Sequence, residues 1–143
     1  MQVSVLLMAK GSTVVTVAPH VSTVDVLATL AQHGIGAVVV SADGRRIDGV
    51  LSERDVVRAL ARQGASALDE PVSRWMTSEV VTCQPDTTVE ELMTTMTERR
   101  IRHVPVVIDG ALAGVVSIGD VVKDRISALE QETEVLHQYI ANP

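Results

Sequence analysis

Two seven-residue stretches carry the side chains most able to do chemistry. Residues 49–55 read GVLSERD and residues 114–120 read GVVSIGD, so glycine, two apolar residues, serine and aspartate recur at fixed spacing. A serine followed three residues later by an acid, where an apolar run gives way to a helix-period run, is a capping box. The hydroxyl accepts from the N3 amide and the acid bonds back. The same groups suit a ligand. Free amides and partial positive charge at a helix N-terminus attract phosphate. The hydroxyl adds a donor, and an ionised carboxylate is a pure acceptor for two neighbouring hydroxyls, such as a ribose diol. The Ser52–Asp55 and Ser117–Asp120 pairs are therefore caps, nucleotide contacts, or both.

The elements that position these pairs are written twice. Thr16 aligns with Thr82, Pro19 with Pro85, Leu30 with Met96 and Ile35 with Ile101, each 66 positions apart. Gly49, Ser52 and Asp55 align with Gly114, Ser117 and Asp120 at a separation of 65, one residue being lost in a turn. Each copy predicts a short strand (13–17 and 80–83) ending at a proline. A helix follows, with Val26, Leu30 and His33 on one face in the first copy and Val89, Leu92 and Met96 in the second. Two apolar runs come next, 37–40 with 47–51 and 104–108 with 112–116. They are joined through ADGRR and DG, both hairpin signals. A second helix closes each copy, the first ending at Gly64 and the second running on far longer.

The expected fold class is α+β: two β-α-β-β-α repeats about a pseudo-twofold axis, with an extended C-terminal helix. Repeat one spans 1–64, a linker 65–71 and repeat two 72–143. Short helical lead-ins, VSVLLM and VSRWMT, open the copies. Each copy of about 60 residues is marginal alone, so the two are expected to share one core and form one module.

Composition narrows the function. The 143 residues are 46% apolar but only 1% aromatic, and the net charge is −6. An acidic chain with few stacking rings is a poor binder of nucleic acid. The single cysteine, Cys83, leaves neither an intrachain disulfide nor a cysteine zinc cluster. No apolar run approaches the length of a membrane span and the N-terminus lacks a basic start. The expectation is a cytoplasmic protein that binds neither membrane nor nucleic acid.

With these residues in view, the chain resembles the CBS-domain family. The likeness rests on G-h-h-S-x-x-D written twice, on IRHVPV at 101–106 and on Met76-Thr77. More narrowly, SERD, TERRIRHVPV, SIGDVVK and the ending LHQYI are similar to small stand-alone proteins built from one CBS pair, the Bateman module. The resemblance implies a regulatory sensor that binds an adenosine ligand (AMP, ADP, ATP or NAD) between the copies and works as a homodimer on a protein partner. By position, Asp55 and Asp120 would hold ribose hydroxyls, and Ser52 and Ser117 would touch phosphate or ribose. Arg102 and His103 would meet phosphate. Ile35, Ala37 and Ile101 would line the adenine slots, with the backbone near Val15 and Val81 reading the base edge. The first copy departs from the pattern, having Gly36-Ala37-Val38-Val39 where the second has Arg102-His103-Val104-Pro105. The two sites are therefore expected to differ, with Arg54 supplying the charge the first copy lacks.

Other constellations fall short of chemistry. GVVSIGD has valine where a nucleophile elbow needs glycine. The four histidines lack metal or triad spacing, and Cys83 reads as a structural thiol. No catalytic residue, metal or catalytic cofactor is expected. A nucleotide hydrolase, or an adaptor dimer with vestigial pockets, are the rival readings. On the last helix Val122, Ile126, Leu129, Thr133, Leu136 and Ile140 step by 4 and 3, a heptad seam fit for a dimer contact. Arg99 and Arg100 read as a solvated helix end.

Overall fold

Asp109 and Gly110 both take positive φ, 51° and 78°, as a two-residue type I′ turn requires. They join β4 (His103–Ile108) to β5 (Ala111–Ser117) in an antiparallel pair. The computed structural model describes residues 1–11 and 13–142. In the first half, β1 (Thr16–Val17) runs parallel to β2 (Ala37–Val40), which pairs antiparallel with β3 (Gly49–Ser52). The helices are α1 (Val3–Lys10), α2 (Thr23–His33), α3 (Glu53–Gln63), α4 (Val72–Trp75), α5 (Val89–Arg99) and α6 (Ile118–Ala141). Thus each copy is β-α-β-β-α in outline, and the fold is α+β as expected.

Two strand expectations are corrected. Only Thr16 and Val17 of 13–17 pair, and 80–83 reduces to a single parallel bridge between Cys83 and Val106. The cause of the second is visible in the register. Val107 donates to the Cys83 carbonyl (2.9 Å), as Ser41 does to Val17 (2.8 Å). Two residues earlier the next donor would be Pro105, which has no N–H, whereas the first copy has Val39 there. The expected linker is also more ordered than its composition suggests. Residues Gly64–Asp69 form a 3₁₀ turn that buries Ala67, whose carbonyl accepts from Trp75 Nε1 (3.1 Å).

The expected single shared core is in fact two. Val26, Leu30, Val38, Val40, Leu51, Val56 and Val72 form one cluster. Val3, Leu6, Cys83, Val89, Leu92, Met96, Val104, Val106, Val116 and Val121 form the other. The lead-in helices cross over: α1 closes the core of the second copy and α4 that of the first. Each crossing is held by equivalent backbone bonds. Val3 donates to Thr87, Ser4 to Pro85, and Val89 to Met1; in the other half Val72 donates to Val21, Ser73 to Pro19, and Thr23 to Glu70. Burying an aliphatic side chain contributes about 1.5–3 kcal/mol, so Val3 and Val72, both fully buried, fasten the halves together. A further bond runs directly between halves, from the Leu112 amide to the Arg45 carbonyl (2.8 Å).

This crossing explains the repeated glycine of the two motifs. A Cβ on Gly114 would stand 2.7 Å from Leu7 Cδ2, and one on Gly49 would stand 2.6 Å from Met76 Sδ and 2.9 Å from the Thr77 carbonyl. Both glycines therefore admit the incoming lead-in. Gly114→Ala is expected to cost about 1–3 kcal/mol by urea denaturation, most of it recovered when Leu7 is shortened to alanine. Gly49→Ala should resist rescue by Met76→Ala, because a carbonyl rather than a flexible side chain opposes it.

Candidate functional site

Both Ser-Asp pairs form complete capping boxes. Asp55 N–H donates to Ser52 Oγ (3.3 Å) and Ser52 N–H to Asp55 Oδ2 (2.9 Å). Asp120 N–H donates to Ser117 Oγ (3.2 Å) and Ser117 N–H to Asp120 Oδ2 (2.9 Å). In each case Oδ2 secures the helix start. The surroundings of the two carboxylates then differ. Asp55 Oδ1 receives the Thr77 hydroxyl at 3.4 Å. Asp120 Oδ2 receives Lys10 Nζ at 2.6 Å, and the same ammonium donates to the Val115 carbonyl at 2.7 Å. Burial pushes the Asp120 carboxyl up, but Lys10 and the Ser117 amide outweigh it and hold it below its ordinary value.

Two clefts lie between the halves. The larger, about 440 Å³, is lined from the first copy by Ala37, Val50, Ser52, Arg54, Asp55 and Arg58. From the second copy it receives Val81, Arg100, Ile101, Arg102 and His103, together with Thr77, Glu79 and the start of α6 at Ser117, Ile118 and Gly119. The smaller, about 260 Å³, is lined by Lys10, Val15, Ile35, Gly36, Ala37, His103, Pro105, Val115 and Ser117 among others. The sequence-derived residues thus sort crosswise. Asp55 and Ser52 face Val81 and Ile101 of the other copy, and Ser117 faces Val15 and Ile35. Asp120 lines neither cleft; its carboxylate is bonded to Lys10, which lines the smaller one. Ala37, His103 and Ser117 border both.

The isoleucines owe their places to equivalent helix ends. Gly34 (φ 62°) and Arg100 (φ 53°) both terminate a helix in the left-handed region, and the next amide donates back to the helix (Ile35 to Leu30, Ile101 to Met96, 3.1 Å each). Glycine takes that conformation freely, whereas an arginine there costs about 1–2 kcal/mol.

Arg54 lines the cleft that holds Ser52 and Asp55 of its own copy. It shares one cleft with Arg102, and Arg58 and Arg100 join them there. Four of the 12 lysines and arginines of an acidic chain thus converge on the larger cleft, opposed by Glu53, Asp55 and Glu79. Sequence reasoning missed Arg58, although it lies one turn after Arg54 on the same face. It also missed Lys10, Thr77 and Glu79, and it placed Arg100 in solvent. The mismatch of Arg100 with Gly34 was the available signal.

Burial, then the Lys10 ammonium, pushes the His103 imidazole below 6.5, against the opposing pull of Glu53 and Asp120. Burial also pushes the Cys83 thiol up to about 11, so little thiolate exists at neutral pH.

A family model described as the CBS domain matches residues 7–62 and again residues 72–126; the chain belongs to the CBS-domain family and carries two of its repeats. A CBS-domain containing protein of Agrobacterium tumefaciens is 52% identical, with a TM-score of 0.85 over 87% of this chain and 99% of that one. A CBS domain protein from Pyrobaculum aerophilum, solved in complex with AMP, is 31% identical, with a TM-score of 0.77 over 93% of this chain and 99% of its own. A mitochondrial CBS domain-containing protein of Arabidopsis thaliana is 38% identical over 120 residues, 81% of this chain. The chain spans 58% of the length of that relative. Among the described residues, no helix is long and apolar enough to cross a membrane.

A base whose folded pKa is depressed binds fewer protons folded than unfolded. The stability His103 supports is therefore complete above 6.5 and is lost as the pH falls through its lower folded value. Denaturant midpoints of the wild-type chain should fall from pH 6.5 to about 5, and His103→Gln should flatten that slope. An equal slope in the variant would assign it to other groups.

Proposed function

We propose that the chain is a regulatory module that binds adenosine-containing nucleotides (AMP, ADP, ATP or NAD) in two unlike clefts and passes occupancy to a protein partner as a homodimer in the cytoplasm. The observation that carries this reading is the larger cleft. Its lining brings together Asp55, an acceptor with Oδ1 facing one weak donor, the apolar Val81 and Ile101, and the four arginines. An aromatic base suits the apolar pair, a ribose diol suits the carboxylate, and guanidinium groups suit phosphate oxygens, which they bind bidentately. The complex of the Pyrobaculum relative with AMP supports the reading.

The cation set further favours a di- or triphosphate in the larger cleft. The smaller cleft offers Lys10 and His103 and suits a ligand of lower charge. The activity proposed is binding rather than turnover; among the described residues no group of three or more His, Cys, Asp or Glu could hold a metal ion.

The homodimer rests on α6. Over 24 residues, about 36 Å, Val121 alone is buried, while Val122, Ile126, Leu129, Leu136 and Ile140 are all exposed, from 47% to 73%. An apolar line of that length is what a second copy would cover.

Titration calorimetry with ATP should show binding that Asp55→Ala weakens by about a hundredfold, two hydroxyl–carboxylate bonds being lost. Unaltered affinity would place the ribose elsewhere. Arg100→Gly should raise stability by about 1 kcal/mol, through relief of the left-handed arginine, while weakening ATP about tenfold. A gain in stability with no loss of ATP affinity would return Arg100 to the surface. Ending the chain after Leu129 should halve the mass seen by light scattering, and an unchanged mass would remove α6 from the dimer contact.

A further inference from the structure

We propose that Lys10 is the specificity-determining residue of the smaller cleft, closing Asp120 to unphosphorylated adenosine ligands and admitting those that carry a phosphate. The inference rests on the nucleotide reading above. Its starting point is an asymmetry at equivalent positions. As α1 leaves the second copy its last residue, Lys10, turns into the cleft; the equivalent residue after α4 is Glu79, which lines the larger cleft.

The consequence falls on the two capping aspartates. Asp55 is met by hydroxyls alone besides its backbone partner. Asp120 is met by a full cation, with Lys10 Nζ at 2.6 Å from Oδ2 and simultaneously 2.7 Å from the Val115 carbonyl. A ribose diol offers neutral donors, and a neutral hydrogen bond is weaker than the charge-assisted one already in place. A ligand with ribose alone must therefore share or displace Lys10 without offering it a new partner. A phosphate gives it one. The ammonium rides on a flexible four-carbon stem, its side chain is 39% exposed, and it already borders the cleft. It can turn from carboxylate to phosphate without unfolding α1, leaving Asp120 capped by the Ser117 amide and open to the diol.

The test isolates the smaller cleft in an Asp55→Ala background and titrates it with adenosine and with AMP. AMP is expected to bind at least about tenfold more tightly than adenosine. Lys10→Met should narrow that ratio from both sides, with adenosine tighter and AMP weaker, whereas Lys10→Arg should keep it. A ratio unmoved by Lys10→Met, or both ligands shifting in the same direction by the same factor, overturns the inference. So does loss of all binding in the Asp55→Ala background while the wild-type chain still binds. Failure of the wild-type chain to bind adenosine, AMP, ATP and NAD alike overturns the nucleotide reading itself, and the two failures are thereby told apart.

Discussion

Each half of the molecule turns on one carboxylate. At the first turns of α3 and α6, Asp55 and Asp120 use Oδ2 to secure the amide of the preceding serine, and this fixes the angle at which strand passes into helix. The same placement brings Asp55 into the larger cleft and Asp120 against Lys10 of the smaller one. Cap and proposed ligand site are one arrangement, because a helix start that is well capped by a short acid also presents that acid at the end of the helix rich in free amides. The glycines three residues before each serine belong to the same arrangement. They let the crossing lead-ins lie against the strand edges, which seats the two halves against each other and shapes the space between them.

The two clefts share a backbone plan and differ in charge. Lys10 against Glu79, Gly34 against Arg100, Gly36 against Arg102 and Gly119 against Arg54 are substitutions at equivalent positions, and most of them add cations to one side. A strained arginine at the helix end is a local conflict of the kind that a fold keeps where function repays it. In the smaller cleft the one ammonium is spent on the capping aspartate. Unequal occupancy, rather than simple duplication of one site, is the expected behaviour of such a pair.

Much of this was legible in the sequence. The repeat, the hairpins and the helix caps follow from local rules: glycine and asparate-glycine turns, serine N-caps and apolar periods, all of which depend on near neighbours. The candidate ribose and base contacts followed from the resemblance at matching positions; one cleft is lined by Asp55, Val81 and Ile101 and the other by Val15 and Ile35, while Asp120 lines neither. What escaped notice depends on contacts far apart in the chain. That α1 serves the second copy, and so carries Lys10 to Asp120 across 110 positions, is invisible to periodicity. The loss of the strand at 80–83 follows from a proline on its partner rather than from its own composition. Arg54 and Arg102 were assigned to opposite sites because the crossing of the copies was not anticipated.

A crystal structure of the chain with ATP tests the central claim most directly. The account predicts the ribose on Asp55, the base between Val81 and Ile101, and the triphosphate among Arg54, Arg58, Arg100 and Arg102. A triphosphate seated in the smaller cleft, or a ribose with no contact to Asp55, would contradict it.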